Sequence, residues 1–216
     1  EALGRVLEVD HDRMTATVEA GIRLFALNDE LGRRGLALSN LGDIDRQTLA
    51  GALSTGTHGT ATKYGPIAAA VVGLELVTAS GEVITCSADE EPEIFACARV
   101  GLGALGVITK VTLQCEPAFR MHTIEEPFGF DEALAAWPTT IEEHDHVDSY
   151  WFPHSEVITV KRADRTDRPI RVKSRYKQWR DDVLIGNYAF GALAAYGRRR
   201  PSQIPKVART VANGMG

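Results

Sequence analysis

The chain has 216 residues, of which 44% are hydrophobic, 25% charged and 7% aromatic, and its formal net charge is −5. This is the balance of an ordinary globular chain, and it excludes a disordered tail, a collagen-like repeat and a disulfide-framed miniprotein. The acidic charge also argues against a protein that coats nucleic acid, which would normally be basic.

Arg5–Val9 and Thr15–Ala20 alternate apolar and polar residues, as half-buried strands do, and His11-Asp12 between them suits a hairpin turn. Leu24, Leu27 and Leu31 follow at helical spacing, and Gly35 stands where that helix would end. The stretch from Gly42 to Gly65 is dense in Gly, Thr and Ser. Ile67–Ala79 is apolar and β-branched, Ser80-Gly81 makes a turn, and Glu82–Thr85 returns as the second strand of a hairpin. A helix is expected over Glu91–Val100 and a strand over Val107–Gln114.

Near Pro117 the texture changes, and a subdomain boundary is placed there, giving regions 1–117 and 118–216. Beyond it, strands are expected at His122–Glu126, Val147–Phe152 and Val157–Lys161, and a helix with an acidic cap at Asp131–Glu142. Arg165–Arg175 is charged, contains Pro169 and reads as an exposed loop. Helices are expected at Arg175–Tyr196 and Gln203–Asn213. The uncharged run Val183–Gly197 is shorter than the ~20 residues of a membrane span, so it reads as a buried helix. The fold class is α+β.

Cys86, Cys97 and Cys115 are odd in number, widely spaced and without a CxxC pair. They suggest neither a zinc site nor a disulfide framework, but free thiols in a reducing compartment. The cytoplasm is the expected location, with membrane association left open. The chain starts at Glu1 rather than Met and has nothing like a signal peptide, which suggests a piece of a longer protein.

Two glycine-rich segments could carry chemistry. Gly101-Leu-Gly103-Ala-Leu-Gly106 fits GxGxxG, but a dinucleotide loop needs a strand before it and a helix after it. Here a helix precedes the glycines and a strand follows, which argues against a nicotinamide site. The segment Ser54-Thr55-Gly56-Thr57-His58-Gly59 offers close backbone approach, positive φ and short hydroxyl donors. No GK[ST] follows it, so it is not a nucleoside triphosphate loop. An anion-binding nest and an ordinary turn fit it equally well. Glu142-Glu143-His144-Asp145-His146 reads as a solvated acidic turn rather than a metal cluster, because His144 and His146 would point to opposite faces of a strand. Arg198-Arg199-Arg200-Pro201 suits a helix end, and Trp137, Trp151 and Trp179 suit core or interface positions.

Three ordered motifs, QTLAGALSTGTHGT, YGPIAAAVVGLELVTASGEVITCS and GLGALGVITKVTLQ, resemble the second half of the FAD-binding (PCMH-type) domain of the vanillyl-alcohol-oxidase flavoproteins. Within that group they look most like the aldonolactone oxidoreductases, which include gulonolactone and arabinonolactone oxidases or dehydrogenases and the similar alditol oxidases. The resemblance is dense from Arg5 to Pro117 and continues more weakly through Val147–Pro153. It implies a second FAD subdomain, with an antiparallel or mixed sheet flanked by helices, followed by the first part of an α+β substrate (cap) domain.

The resemblance also implies FAD as cofactor and oxidation of a CH–OH group on a sugar lactone or polyol. Hydride would pass to flavin N5, and electrons then to oxygen or another acceptor. Asp43 and Ile44 would lie beside the cofactor, and Thr48 near the isoalloxazine ring as the candidate substrate or flavin contact. Gly51, Ser54, Thr55, Gly56, Thr57, His58 and Gly59 would line the pyrophosphate and flavin. Val107 and Ile108 would offer backbone bonds toward the adenine end. His58 resembles the family's second-half histidine, which packs by the cofactor, rather than the histidine that carries a covalent flavin. The rest of the site would come from the remaining segments of the same full-length protein. The alternatives are a fold fragment without catalytic activity and a nicotinamide enzyme using GLGALG.

Overall fold

The computed structural model describes residues 3–170, 174, 176, 179 and 188–214. It divides into two compact units, Glu1–Phe119 and Arg120–Gly216. The first is built on a five-stranded antiparallel sheet. Its strands are β1 (Val6–Asp10), β2 (Thr15–Glu19), β4 (Val71–Val77), β5 (Val83–Ser87) and β6 (Val107–Gln114), in the order β1-β2-β6-β4-β5. The alternation seen in the sequence sets the faces: Ala16 and Val18 of β2 are fully buried, and Val111 and Leu113 of β6 join them in the core. Across the β2–β6 ladder the hydroxyls of Thr17 and Thr112 are 3.0 Å apart.

The β1–β2 turn is tied by Asp10, whose carboxylate accepts the N–H groups of Asp12 and Arg13 at 2.9 Å each. Glu19 at the end of β2 is buried, and it accepts from the Arg5 main chain at 2.8 Å and the Arg5 guanidinium at 2.7 Å. The hydrogen bond from the Arg5 side chain holds the Glu19 carboxyl below its ordinary range.

Helix α1 (Leu24–Arg33) buries Leu24, Leu27 and Leu31 on the sheet side and ends at Gly35, which has φ +72°. Strand β3 (Leu36–Ala37) then pairs with β7 (Glu116–Pro117), which brings the end of the unit back beside α1. The apolar stretch after Pro66 does not start as a strand. Ile67–Ala70 is a 3₁₀ turn, because Pro66 fixes φ at −60° and its carbonyl accepts Ala69 N–H at 2.8 Å. Helix α3 (Pro92–Ala98) is shorter than the expected Glu91–Val100. Glu91 sits in the left-handed region before it, and Pro92 occupies its first turn.

The second unit has a three-stranded antiparallel sheet in the order β8 (Met121–Gly129), β10 (Val157–Arg165), β9 (His146–Trp151). Helix α4 (Phe130–Glu143) covers it by placing Ala133, Trp137 and Ile141, spaced four residues apart, on Val147, Ile158 and Val160. The expected acidic cap is absent: Gly129 is the N-cap, and Asp131 and Glu132 lie inside the first turn, where they favour the helix dipole instead. Strand β10 runs to Arg165, past the expected Lys161, because β8 pairs with it throughout, as far as Arg165↔Met121.

Half of the expected helix Arg175–Tyr196 lies outside the described residues. Its described end, α5 (Phe190–Arg199), is largely exposed rather than buried, and Gly197 faces Ile204 of α6 (Ile204–Gly214). Arg198 and Arg199 stand in the last turn of α5, as the sequence suggests. Among the described residues, no helix is long and apolar enough to cross a membrane.

Candidate functional site

The candidate site lies in the first unit and begins with a segment docked on the entry to α1. Leu24 N–H donates to Gln47 O at 3.0 Å, Phe25 N–H to Asp45 O at 3.1 Å, and Leu49 N–H to Ile22 O at 2.8 Å. The Arg23 guanidinium adds a 2.6 Å bond to Arg46 O. Asp45–Leu49 is therefore held like an extra strand along Ala20–Phe25, and this fixes the start of helix α2 (Leu49–Ser54).

Thr48 is the N-cap of α2, and its hydroxyl oxygen accepts Gly51 N–H at 3.2 Å. Capping uses an oxygen lone pair, so the O–H remains a donor that the cap does not consume. Leu49, Ala52 and Leu53 anchor the short helix in the core.

The chain leaves α2 through Gly56 at φ +67°, whose N–H donates to Leu53 O at 3.0 Å. Thr57 N–H reaches Ala52 O at 2.9 Å, and the Thr57 hydroxyl reaches Gln47 Oε1 at 3.2 Å. The Thr55 hydroxyl donates to Gly51 O at 2.8 Å. His58 Nδ1 lies 2.8 Å from Gly59 O, and a carbonyl can only accept, so Nδ1 carries the proton. In the neutral ring Nε2 is then the acceptor.

Two glycines let a second segment come close. A Cβ on Gly59 would sit 1.9 Å from Asn40 Oδ1 and 2.6 Å from Leu41 O, and one on Gly42 would sit 3.0 Å from His58 O. Residues 40–42 and 57–59 are thus in main-chain contact, and only glycine permits this at Gly59. Asp43 and Ile44 follow directly, with the Ile44 side chain 68% exposed.

The GLGALG turn docks on the same loop, with Leu102 N–H donating to Ser54 O at 3.3 Å. It runs from α3 into β6, the reverse of the order a dinucleotide loop needs. Its last glycine, Gly106 at φ +144°, lies against Val77, where a Cβ would be 2.3 Å from the carbonyl oxygen. These glycines serve turning and packing. Ile108 buries its side chain in the core, so only its main chain can face a ligand, whereas Val107 is 66% exposed. The β2–β6 ladder ends at Glu19↔Lys110, so β2 does not reach Val107 and Ile108.

The structure brings residues 40–42 onto 57–59 and the GLGALG turn onto Ser54, with Thr48 and Gly51 at the start of the same short helix and Gly59 itself buried. A donor left for a cofactor here is the Thr48 O–H, which the cap does not consume; the Thr55 and Thr57 hydroxyl protons and the N–H groups of Thr55, Gly56 and Thr57 are spent within the scaffold, so the loop meets a ligand through close main-chain approach at Gly56 rather than through those hydroxyls. The residue that sequence reasoning missed is Asn40. It is 6% exposed, its Nδ2 donates to Tyr64 O at 3.2 Å and Gly65 O at 3.0 Å, and its Oδ1 has no hydrogen-bond partner. The sequence carries little signal for it, because Asn40 follows Ser39 at the edge of a Gly-, Ser- and Thr-rich stretch where a polar residue is ordinary.

Other candidate chemistry is structural. His144 leaves α4 and pairs through Nδ1 with Asp164 Oδ2 at 2.7 Å, while Asp145 N–H bonds Asp164 Oδ1 at 2.9 Å. No group of three metal-ligating side chains occurs among the described residues. All three cysteines are free thiols, and burial pushes Cys115 up to about 11, so it stays protonated at neutral pH.

Residues 1–87 match the FAD binding domain family, and residues 111–215 match the D-arabinono-1,4-lactone oxidase family. The chain is 39% identical to an L-gulonolactone oxidase from Scyliorhinus torazame, over 96% of this chain and 46% of that one. It is 36% identical to an L-gulono-1,4-lactone dehydrogenase from Mycobacterium tuberculosis, over 99% of this chain and 49% of that one. The chain thus spans about half the length of these curated relatives. Its fold is shared with a cholesterol oxidase from Brevibacterium sterolicum at a TM-score of 0.71 and 20% identity, over 99% of this chain and 46% of that one. The fold is α+β of the PCMH type, and the cofactor indicated is FAD.

Proposed function

The chain is a relative of the FAD-dependent aldonolactone oxidoreductases, and from that premise we propose that it serves the FAD-linked oxidation of a CH–OH group on a sugar lactone or polyol. The observation that supports this reading is the similarity to a lactone oxidase and a lactone dehydrogenase along nearly the whole chain, and the close packing of residues 40–42 on 57–59 beside the capped start of α2 is consistent with it. FAD, when bound, supplies a hydride acceptor at N5 and passes the electrons on to oxygen or another acceptor.

The protein's own residues bind and orient. Ser54–Gly59 would lie along the pyrophosphate, with Gly56 allowing close backbone approach, Gly59 packing the loop on Asn40, and the Thr55 and Thr57 side chains bonded to the scaffold. The Thr48 O–H would donate toward the flavin edge or the substrate hydroxyl, while its oxygen keeps α2 capped. Gly51, which supplies the capped N–H, fixes that orientation. Asp43 and Ile44 would flank the ring, His58 would pack beside it, and the main chain of Val107 and Ile108 would face the adenine end. The substrate is a small molecule, and the remaining segments of the full-length protein would complete its pocket. The three free thiols support a reducing compartment, the cytoplasm.

The test is the visible spectrum of the full-length protein as purified, followed by dye reduction with aldonolactones and alditols in the presence and absence of oxygen. Flavin absorbance with lactone-dependent reduction is expected. Full-length protein that neither contains nor takes up FAD would overturn the reading.

A further inference from the structure

Asn40 stands outside the cofactor-loop motif, yet it joins three parts of the site. It is a buried amide whose two N–H bonds are both spent on the carbonyls of Tyr64 and Gly65. This orientation is chemically fixed, because the flipped amide would turn an oxygen toward two carbonyl oxygens. Oδ1 is therefore directed at Gly59, where it occupies the space a Cβ would need. A buried acceptor without a donor is costly, of order 1–3 kcal/mol, and such groups are few in native proteins.

What this arrangement secures is the place of Gly59. The Gly59 carbonyl is the acceptor for His58 Nδ1–H, and Thr57 O is tied to Ile67 N–H at 3.1 Å just after the Tyr64-Gly65 turn. The chain of contacts runs from the Tyr64-Gly65 turn through Asn40 to Gly59, and from Gly59 to the ring of His58.

We propose that Asn40 is a positioning residue for the FAD site: by seating Gly59 against its side-chain oxygen, it sets the Ser54–Gly59 loop and the Nδ1–H form of His58, so that Nε2 is presented as an acceptor. The inference rests on the FAD reading above and goes beyond it by assigning a role to a residue that lies outside the Ser54–Gly59 motif and contacts it through Gly59. Asn40 acts through Gly59 and His58, and it takes no part in the chemistry itself.

The experiment uses the full-length protein and titrates FAD into the apo form of the parent, Asn40→Ala, Asn40→Asp, His58→Gln and the double variant Asn40→Ala/His58→Gln. Asn40→Asp keeps the volume but faces two carbonyls with an acceptor, so it carries the comparison if Asn40→Ala does not fold. The expected result is FAD affinity at least about tenfold weaker in both Asn40 variants, with a shifted visible flavin band. The double variant should be weakened by less than the product of the two single effects, because both act through one contact chain. A purely structural role would lower the thermal midpoint and leave the affinity and spectrum of the folded fraction at parent values. That outcome, or independent effects in the double variant, overturns the proposal. A parent protein that binds no FAD overturns the functional reading, and this inference with it. A flavin-bound parent with unaffected Asn40 variants overturns this inference alone.

Discussion

The two units use the same materials differently. The first buries long side chains completely, with Leu27, Leu31, Leu49, Leu53 and Leu113 at or near zero exposure, and it carries its loops on that core. The second, among the described residues, buries mainly small side chains from the helices on its sheet, Ala133 from α4 and Ala208 and Ala212 from α6, and it leaves Leu134, Trp151 and Tyr196 half-exposed. A loop proposed to hold a cofactor needs a rigid base, and the first unit supplies one. The glycine contacts of residues 40–42 and 57–59 are affordable because α2 beneath them is locked into the core.

That contrast can be broken first at Gly59. Gly59→Ala should have the largest effect on FAD binding, since the added methyl meets Asn40 Oδ1 and Leu41 O. A loss of about 1–3 kcal/mol is expected for such overpacking, together with loss of FAD binding. Urea unfolding and flavin titration on the same sample will measure both, and parent-like values would contradict this close packing.

The next contrast sets one unit against the other. Leu53→Ala removes a fully buried side chain and should cost about 2–5 kcal/mol, whereas Leu134→Ala, at a side chain 52% exposed, should stay within about 0.5 kcal/mol. Equal midpoints in denaturant titrations would mean that the first unit's core is not the dominant one.

Thr48→Ala should cost about 1 kcal/mol through the lost cap, and Thr48→Ser should restore it. If Thr48 also contacts flavin or substrate, turnover will fall in the alanine variant by more than the stability loss accounts for. Steady-state rates at saturating FAD separate the two effects.

A smaller effect is expected at Asp164. Partial burial works against its ionised form, but the Asp145 N–H and the His144 ring outweigh that and hold its pKa below the ordinary value. The stabilisation is present above the unfolded-state pKa of about 4 and is lost as pH falls through the lower folded value. Asp164→Asn should therefore unfold slightly more easily at neutral pH, by under ~1 kcal/mol at this half-exposed site, and the difference should vanish in acid. Thermal melts at pH 7 and below pH 4 will show it.

The smallest perturbation is chemical labelling. Under native conditions a thiol reagent should modify exposed Cys97 alone, with buried Cys86 and Cys115 reacting only on unfolding.

Much of this was legible in the chain itself. Period-two alternation at Thr15–Ala20 showed which face goes inward, and the leucine spacing of α1 did the same for a helix, because such patterns need only local geometry. The order of GLGALG after a helix and before a strand already told against a dinucleotide loop. The cofactor loop was legible as a glycine- and hydroxyl-rich motif, although its residues alone did not separate a nest from a turn. The sequence misled where a neighbour decides. Pro66 turned the start of an apolar run into a 3₁₀ segment, the pairing of β8 lengthened β10, and the described part of α5 lay largely exposed rather than buried. What the sequence by itself determined was the element pattern and the chemical kind of the loop. Only the tertiary structure decided that Asn40 meets Gly59, that Gly42 meets His58, and that the GLGALG turn reaches Ser54. Those contacts join residues far apart in the chain, and their energy depends on distances of a few ångströms that no local periodicity encodes.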